Sequence, residues 1–210
     1  MTAPAHFITI GDHDVEMLRH VLDVGERLRA ERQAGAAHAP ILADRSLAML
    51  FEKPSLRTRV SFELAMRELG GRTLRLGRDE VGLGQRESVA DVIRVLSGMV
   101  DAVAARVFHH DHLEAMVRFG SIPVINMLSD RAHPCQALAD LMTLRDEFGA
   151  DLTGRTVAFV GDGNNVARSL AWLCAKLGVR YIHAGPRGFG LRAGTVEAIR
   201  AAGPGAAVEL

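Results

Sequence analysis

Nine consecutive residues combine the side chains needed to hold an oxyanion: Phe51-Glu52-Lys53-Pro54-Ser55-Leu56-Arg57-Thr58-Arg59. They stand where an apolar run, Ser46 to Phe51, passes into a segment of helical periodicity. Pro54 and Ser55 read as a turn and a helix N-cap, and Val60, Phe62, Leu64, Met66 and Leu69 mark the helix face turned to the core. Arginine in a first helical turn opposes the positive end of the macrodipole, so Arg57 and Arg59 are costly there unless a negative group joins them. A phosphate would resolve the conflict through the first N–H groups of the helix, the Ser55 and Thr58 hydroxyls and the Arg57 guanidinium. The competing reading is an ordinary helix start whose arginines pair with surface carboxylates.

The elements that must position this motif follow an alternating rhythm. An amphipathic helix over 14–32 turns Leu18, Val21, Leu22, Val24, Gly25 and Leu28 inward. After it come strand 46–51, helix 56–69, strand 72–76, helix 88–99, strand 101–107, helix 111–119, strand 122–127 and helix 135–148. Gly149 to Gly154 is polar and turn-rich. The pattern then restarts with strand 156–160, helix 165–177, strand 179–184, helix 194–202 and a strand opening at Ala207-Val208-Glu209-Leu210. Such alternation predicts an α/β protein with two doubly wound, Rossmann-like parallel sheets. The expected domains are 1–150 and 151–210. The second is short for an independent core, so the reading is of an incomplete domain in a fragment of a longer chain.

Ligands of doubly wound sheets gather outside the carboxyl ends of the strands, which directs attention to the other strand-to-helix loops. Arg106 closes the run from Asp101 to Val107, and Leu128-Ser129-Asp130-Arg131-Ala132-His133-Pro134-Cys135-Gln136 follows the next strand. With Arg57 they offer a cation pair, a titratable imidazole and an amide, suited to gripping a phosphate and polarising a carbonyl beside it. Alone, Arg106 reads as a strand-end charge and His133 as a loop histidine bonded to backbone. Cys135 reads as a small residue packed at a helix start.

Two further patterns carry less. Gly161-Asp162-Gly163-Asn164-Asn165-Val166 resembles a dinucleotide loop, but the next strand ends Ile182-His183-Ala184-Gly185-Pro186 with no acid for a ribose hydroxyl, which argues against NAD. The two asparagines also suit a turn. His109-His110-Asp111-His112 invites a metal, yet four consecutive side chains cannot all converge on one ion, so a solvated helix start is expected. Neither cofactor nor metal is expected.

Bulk properties restrict the partners. The 210 residues are 48% hydrophobic and 24% charged, with 25 basic and 25 acidic side chains and a formal charge of +0. No global field exists to draw nucleic acid or an anionic membrane, so any anion site is local. Cys135 and Cys174 lack metal-type spacing and suit a reducing, cytoplasmic setting. No run approaches the roughly 20 apolar residues of a membrane span.

Phe-Glu-Lys-Pro-Ser-Leu-Arg-Thr-Arg at 51–59, Ala-Arg at 105–106, His-Pro-Cys-Gln-Ala-Leu-Ala-Asp at 133–140 and Gly-Asp-Gly-Asn-Asn at 161–165 together resemble the carbamoyltransferase family, its ornithine-type members most of all. The resemblance runs from about His6 to Gly188. It implies that domain 1–150 binds carbamoyl phosphate and 151–210 is part of an amino acid domain. Ser55, Leu56 through its backbone, Arg57 and Thr58 would hold the phosphate. Arg106, His133 and Gln136 would contact the carbamoyl group, with Gly82, Pro134 and Cys135 in the same donor site. Arg57, Arg106 and His133 would carry catalysis, and Asn165 with Asn164 would face the acceptor.

The implied reaction joins carbamoyl phosphate and L-ornithine to give citrulline and phosphate in a cytoplasmic homotrimer or higher homo-oligomer. Aspartate, putrescine or an acylated ornithine would use the same donor chemistry, and a non-catalytic phosphate-binding protein is the alternative class. Residues 79–88 correspond to the family segment that reaches a neighbouring subunit's site. Many members carry Gln where this chain has Gly82, while Gln85 lies three residues on. The family's later Ser-Met-Gly and His-Cys-Leu-Pro motifs do not occur, so the isolated chain is expected to bind donor without forming product.

Overall fold

The computed structural model describes residues 5–203 and the backbone of 208–209. It divides into two compact units: the residues up to Ile8 with Arg27–Asp130, and Thr9–Glu26 with Arg131 onward. Helix α1 (Val15–Gln33) contributes to both. Its fully buried residues are Leu18 and Leu22; Val21, Val24, Gly25 and Leu28, expected inward as well, are half-buried.

In the first unit, β1 (Ser46–Phe51), β2 (Arg72–Gly77), β3 (Ala102–Arg106) and β4 (Val124–Leu128) form one parallel sheet in the order β2-β1-β3-β4. Alternate residues of the strands feed two cores. Ala48, Leu50, Val103, Ala105 and Val124 meet Val92, Ile93 and Leu96 of α4 (Val89–Ser97) and Leu113 and Met116 of α5 (His110–Phe119). Leu47, Met49, Phe51, Ala104 and Met127 meet Phe62 and Met66 of α2 (Leu56–Glu68). Helices on both faces explain why β1, β3 and β4 are near-continuous apolar runs, while the edge strand β2 carries Arg72 and Arg75 and is largely exposed. The N-terminal segment extends the sheet: Phe7 donates to Val124 O and accepts from the Asn126 N–H, both at 2.8 Å.

Two features depart from expectation. Helix α2 has no fully buried residue, and Val60, expected on its core face, is 42% exposed. Phe62 and Met66 cover the sheet, and Val60 lies off their side of the helix. The 79–88 segment contains a further short helix, α3 (Arg78–Val81), ended by Gly82 at φ 58°.

In the second unit, β5 (Thr156–Val160), β6 (Arg180–Ala184) and β7 (Val208–Glu209) are parallel in that order. Ala207 and Leu210, expected at the ends of the last strand, lie outside the described residues. Helix α7 (Asn165–Lys176) is the buried element, presenting Ala167, Leu170, Ala171, Leu173, Cys174 and Ala175. Helices α6 (Pro134–Phe148) and α8 (Ala193–Ala201) pack on it. The α/β class with parallel sheets is as the alternation required. Among the described residues no helix is long and apolar enough to cross a membrane.

Candidate functional site

Parallel pairing sets Phe51, the last residue of β1, beside Arg106, the last of β3, and the Glu52 N–H donates to Arg106 O at 2.9 Å. The anion motif therefore leaves the sheet next to Arg106. Between β3 and β4 the register shifts: Ala105 pairs with Asn126 but Arg106 with Leu128. A bulge turns the local chain and re-aims a side chain, and this one falls on the candidate arginine.

The start of α2 carries no side-chain cap. Ser55 occupies the N-cap position with extended backbone, but its hydroxyl donates to Thr58 Oγ1 at 2.9 Å and caps no N–H. This corrects the simple capping role expected for Ser55. The first turn holds no acidic residue. Arg59 is neutralised one turn on by Glu63, Nε to Oε1 at 2.8 Å, so the surface-pairing reading holds for Arg59. Arg57 forms no ion pair among the described residues and is exposed. Arg106 is half-buried, its Nε has no partner among the described residues, and burial pushes its guanidinium below the ordinary arginine value. A desolvated donor without an acceptor is costly and is available to an anion or a polarised carbonyl.

Glu52 was not singled out by the sequence, yet it organises this edge. It is 8% exposed, accepts the Phe108 N–H at 2.6 Å and stands 3.3 Å from His112 Nδ1. Lys53 lies 4.5 Å above the Phe108 ring. A carboxylate at the end of an apolar strand was the available signal. The histidines of 109–112 take different partners: His109 lies 3.9 Å from Asp130 and meets the His112 ring edge to face at 5.8 Å, buried His110 bonds Ser129 Oγ at 2.7 Å, and His112 faces Glu52. His110 is thus a core residue, where a solvated one was expected. Gly82 offers only backbone, and a Cβ there would stand 2.7 Å from Arg86 Cβ.

In the second unit His133 is the N-cap residue of α6, Pro134 takes the first helical position, and the His133 N–H donates to Ser169 Oγ at 2.9 Å. Gln136 is exposed and donates to Asp140 Oδ1 at 2.8 Å. Burial pushes the Cys135 thiol up to about 11, so the thiolate is scarce at neutral pH and the residue packs as expected. Asn164 caps α7, accepting from the Val166 and Ala167 N–H groups at 2.9 and 3.1 Å while its amide donates to Asp162 at 2.9 Å. Asn165 is half-buried in the first turn, its carbonyl accepting from Ser169 Oγ at 2.8 Å. The glycines of this loop serve close backbone packing: the Gly163 N–H donates to Phe189 O at 2.6 Å, and a Gly163 Cβ would lie 2.4 Å from Gly190 C.

Comparison with known proteins gives a consistent family. Residues 5–146 match the aspartate/ornithine carbamoyltransferase, carbamoyl-P binding domain. Ornithine carbamoyltransferase of Methanopyrus kandleri is 47% identical over 184 residues, 88% of this chain and 58% of the relative. That of Thermus thermophilus is 46% identical over 189 residues, 90% of this chain and 61% of the relative. The chain thus spans about three fifths of the length of these curated relatives. The solved ornithine carbamoyltransferase of Pyrococcus furiosus superposes with a TM-score of 0.95 at 40% identity, over 99% of this chain and 66% of that one.

Proposed function

The chain belongs to the aspartate/ornithine carbamoyltransferase family, and from that premise we propose that it takes part in moving the carbamoyl group of carbamoyl phosphate to the side-chain amine of L-ornithine, giving citrulline and phosphate. The observation that carries the donor half is the start of α2: first-turn N–H groups with no side-chain cap, no acidic residue in that turn, and Arg57 without an ion pair among the described residues. A phosphate satisfies all three at once.

In this reading Ser55, Leu56 through its backbone, Arg57 and Thr58 hold the phosphate. Arg106 and His133 donate to the carbamoyl oxygen, and Gln136, Pro134, Cys135 and the Gly82 backbone complete the donor surroundings. The neutral amine of ornithine attacks the carbonyl carbon, the bond from that carbon to the phosphate oxygen breaks, and the amine releases a proton. Negative charge grows on the carbonyl oxygen and then on the leaving phosphate. Arg106 and His133 stabilise the first and Arg57 the second, which lowers the barrier to the extent that these contacts tighten in the transition state. No covalent enzyme intermediate is required. Asn165, with Asn164, belongs to the acceptor side, where Asn164 acts mainly by shaping the loop. The protein is proposed to work in the cytoplasm, in arginine metabolism, as a homotrimer or higher homo-oligomer in which residues 79–88 complete a neighbour's donor site.

Calorimetric titration with carbamoyl phosphate tests the donor half, and absence of binding would overturn it. Citrulline formation with ornithine by a completed chain, set against carbamoylation of aspartate, putrescine and an N-acylated ornithine, tests the acceptor. Preference for one of the latter three would reassign it.

A further inference from the structure

Three strand exits of the first unit meet around one carboxylate and one imidazole. Strands β2, β1 and β3 are neighbours in that order, so the segments leaving them lie side by side. Glu52, at the exit of β1, is 8% exposed and has both oxygens engaged: Oε2 accepts the Phe108 N–H at 2.6 Å, and Oε1 stands 3.3 Å from Nδ1 of His112 in the first turn of α5. The third segment, 79–88, follows β2. Leu83 seats it in the core with Val92 and Leu113, and Arg78, just before it, lies 5.5 Å over the Phe108 ring. Gly84 makes the remaining contact: its φ is 72°, and a Cβ added to it would stand 3.4 Å from His112 Nε2. One ring nitrogen of His112 therefore faces the carboxylate that anchors the anion motif, and the other faces 79–88.

A buried carboxylate keeps its place only while its oxygens are compensated. The partner of Glu52 Oε1 is His112. The Nδ1 atom is itself buried and makes no aligned hydrogen bond among the described residues, so the contact is one of charge with a ring nitrogen and not a second clamp of the Phe108 kind. Without the imidazole, Oε1 is left buried and unmatched, and the side chain that spaces Ser55–Thr58 from Arg106 loses one of its two holds. The same deletion removes the surface on which Gly84 rests.

We infer that His112 is a positioning residue of the anion site, setting the anion motif through Glu52 and the 79–88 segment through Gly84. The inference rests on the donor reading given above and adds a residue to which that reading assigns no contact with either substrate. Where 79–88 serves a neighbour's donor site, the same side chain links a subunit's own motif to the segment that it lends.

Calorimetric titration of the 210-residue chain with inorganic phosphate and with carbamoyl phosphate tests the inference, using His112→Ala, His112→Asn, Glu52→Gln and the combination of Glu52→Gln with His112→Ala beside the unaltered protein. His112→Ala is expected to weaken binding about fivefold or more, and His112→Asn, whose amide reaches the place of Nδ1, to restore it to within about twofold. In the Glu52→Gln background His112→Ala should change the affinity little, because the two residues act through one contact. Trypsin supplies a second reading that needs no ligand: cleavage after the exposed Arg86, measured against cleavage elsewhere in the chain, should quicken in His112→Ala. Absence of binding by the unaltered chain would overturn the donor reading, with cleavage still deciding whether His112 seats 79–88. Binding of unaltered strength in His112→Ala, equal losses in His112→Ala and His112→Asn, losses that add to that of Glu52→Gln, or unaltered cleavage after Arg86 would overturn the role of His112 alone.

Discussion

Glu52 Oε2 accepts the Phe108 backbone N–H at 2.6 Å, joining the exit of β1 to the exit of β3 across 56 residues of sequence. Ser55 follows this clamp by three residues, so the position of Ser55–Thr58 relative to Arg106 depends on the Glu52 carboxylate.

Removing that acceptor should be costly. Glu52→Ala leaves the Phe108 N–H without its acceptor at a buried site, a loss of roughly 1–3 kcal/mol in urea unfolding. Glu52→Gln keeps an acceptor oxygen and should recover most of it. Equal losses in the two variants would show that the charge facing His112, and not the hydrogen bond to Phe108, is what matters.

The two arginines of the motif should behave differently. Arg57→Ala is expected to weaken carbamoyl phosphate or phosphate binding by roughly 1.5–3 kcal/mol, the range for a charged hydrogen bond. Arg59→Ala, whose partner is Glu63, should change it far less. Calorimetric titration of both variants decides the assignment.

In a completed chain, His133→Ala should lower turnover in citrulline formation more than it weakens donor binding. In the proposed role, its contact with the carbamoyl oxygen would strengthen only as that oxygen becomes charged. Comparing kcat with the donor dissociation constant separates this role from simple binding, which would depress both equally.

Asp101 gives a pH signature. Hydrogen bonds from Arg45, the Ser46 N–H and the Ser46 hydroxyl lower its carboxyl to about 2 from an ordinary 3.8. A lowered folded value means that the contribution is complete above about pH 4 and disappears as the pH falls toward 2. Asp101→Asn should flatten the stability profile in that window and leave its shape near neutrality unchanged, as followed by unfolding at a series of pH values.

Gly163→Ala should destabilise the second unit by roughly 1–3 kcal/mol, because the new Cβ would meet Gly190 C at 2.4 Å in backbone that cannot turn aside. Gly194→Ala, with no atom within 4 Å of its added Cβ, is the control and should be neutral or mildly stabilising. Thermal unfolding of the pair makes the comparison.

The order and type of the elements were legible in the residues because β1, β3 and β4 of the first unit are largely apolar runs covered on both faces and most helices carry apolar residues at helical spacing. Those are local patterns, and β1 came out at Ser46–Phe51 as expected. The anion motif was legible for a similar reason, since arginines in a first turn conflict with the dipole whatever surrounds them. Periodicity says that a face is covered, not by what. Only the tertiary structure showed that Phe7 pairs with β4, that α6, which precedes the Gly149–Gly154 turn, packs on α7 beyond it, and that Glu52 clamps Phe108. The same holds for the bulge at Arg106 and for Val60 lying outside the core. Each depends on register or close approach between segments distant in sequence, and such contacts leave no periodic trace in either segment.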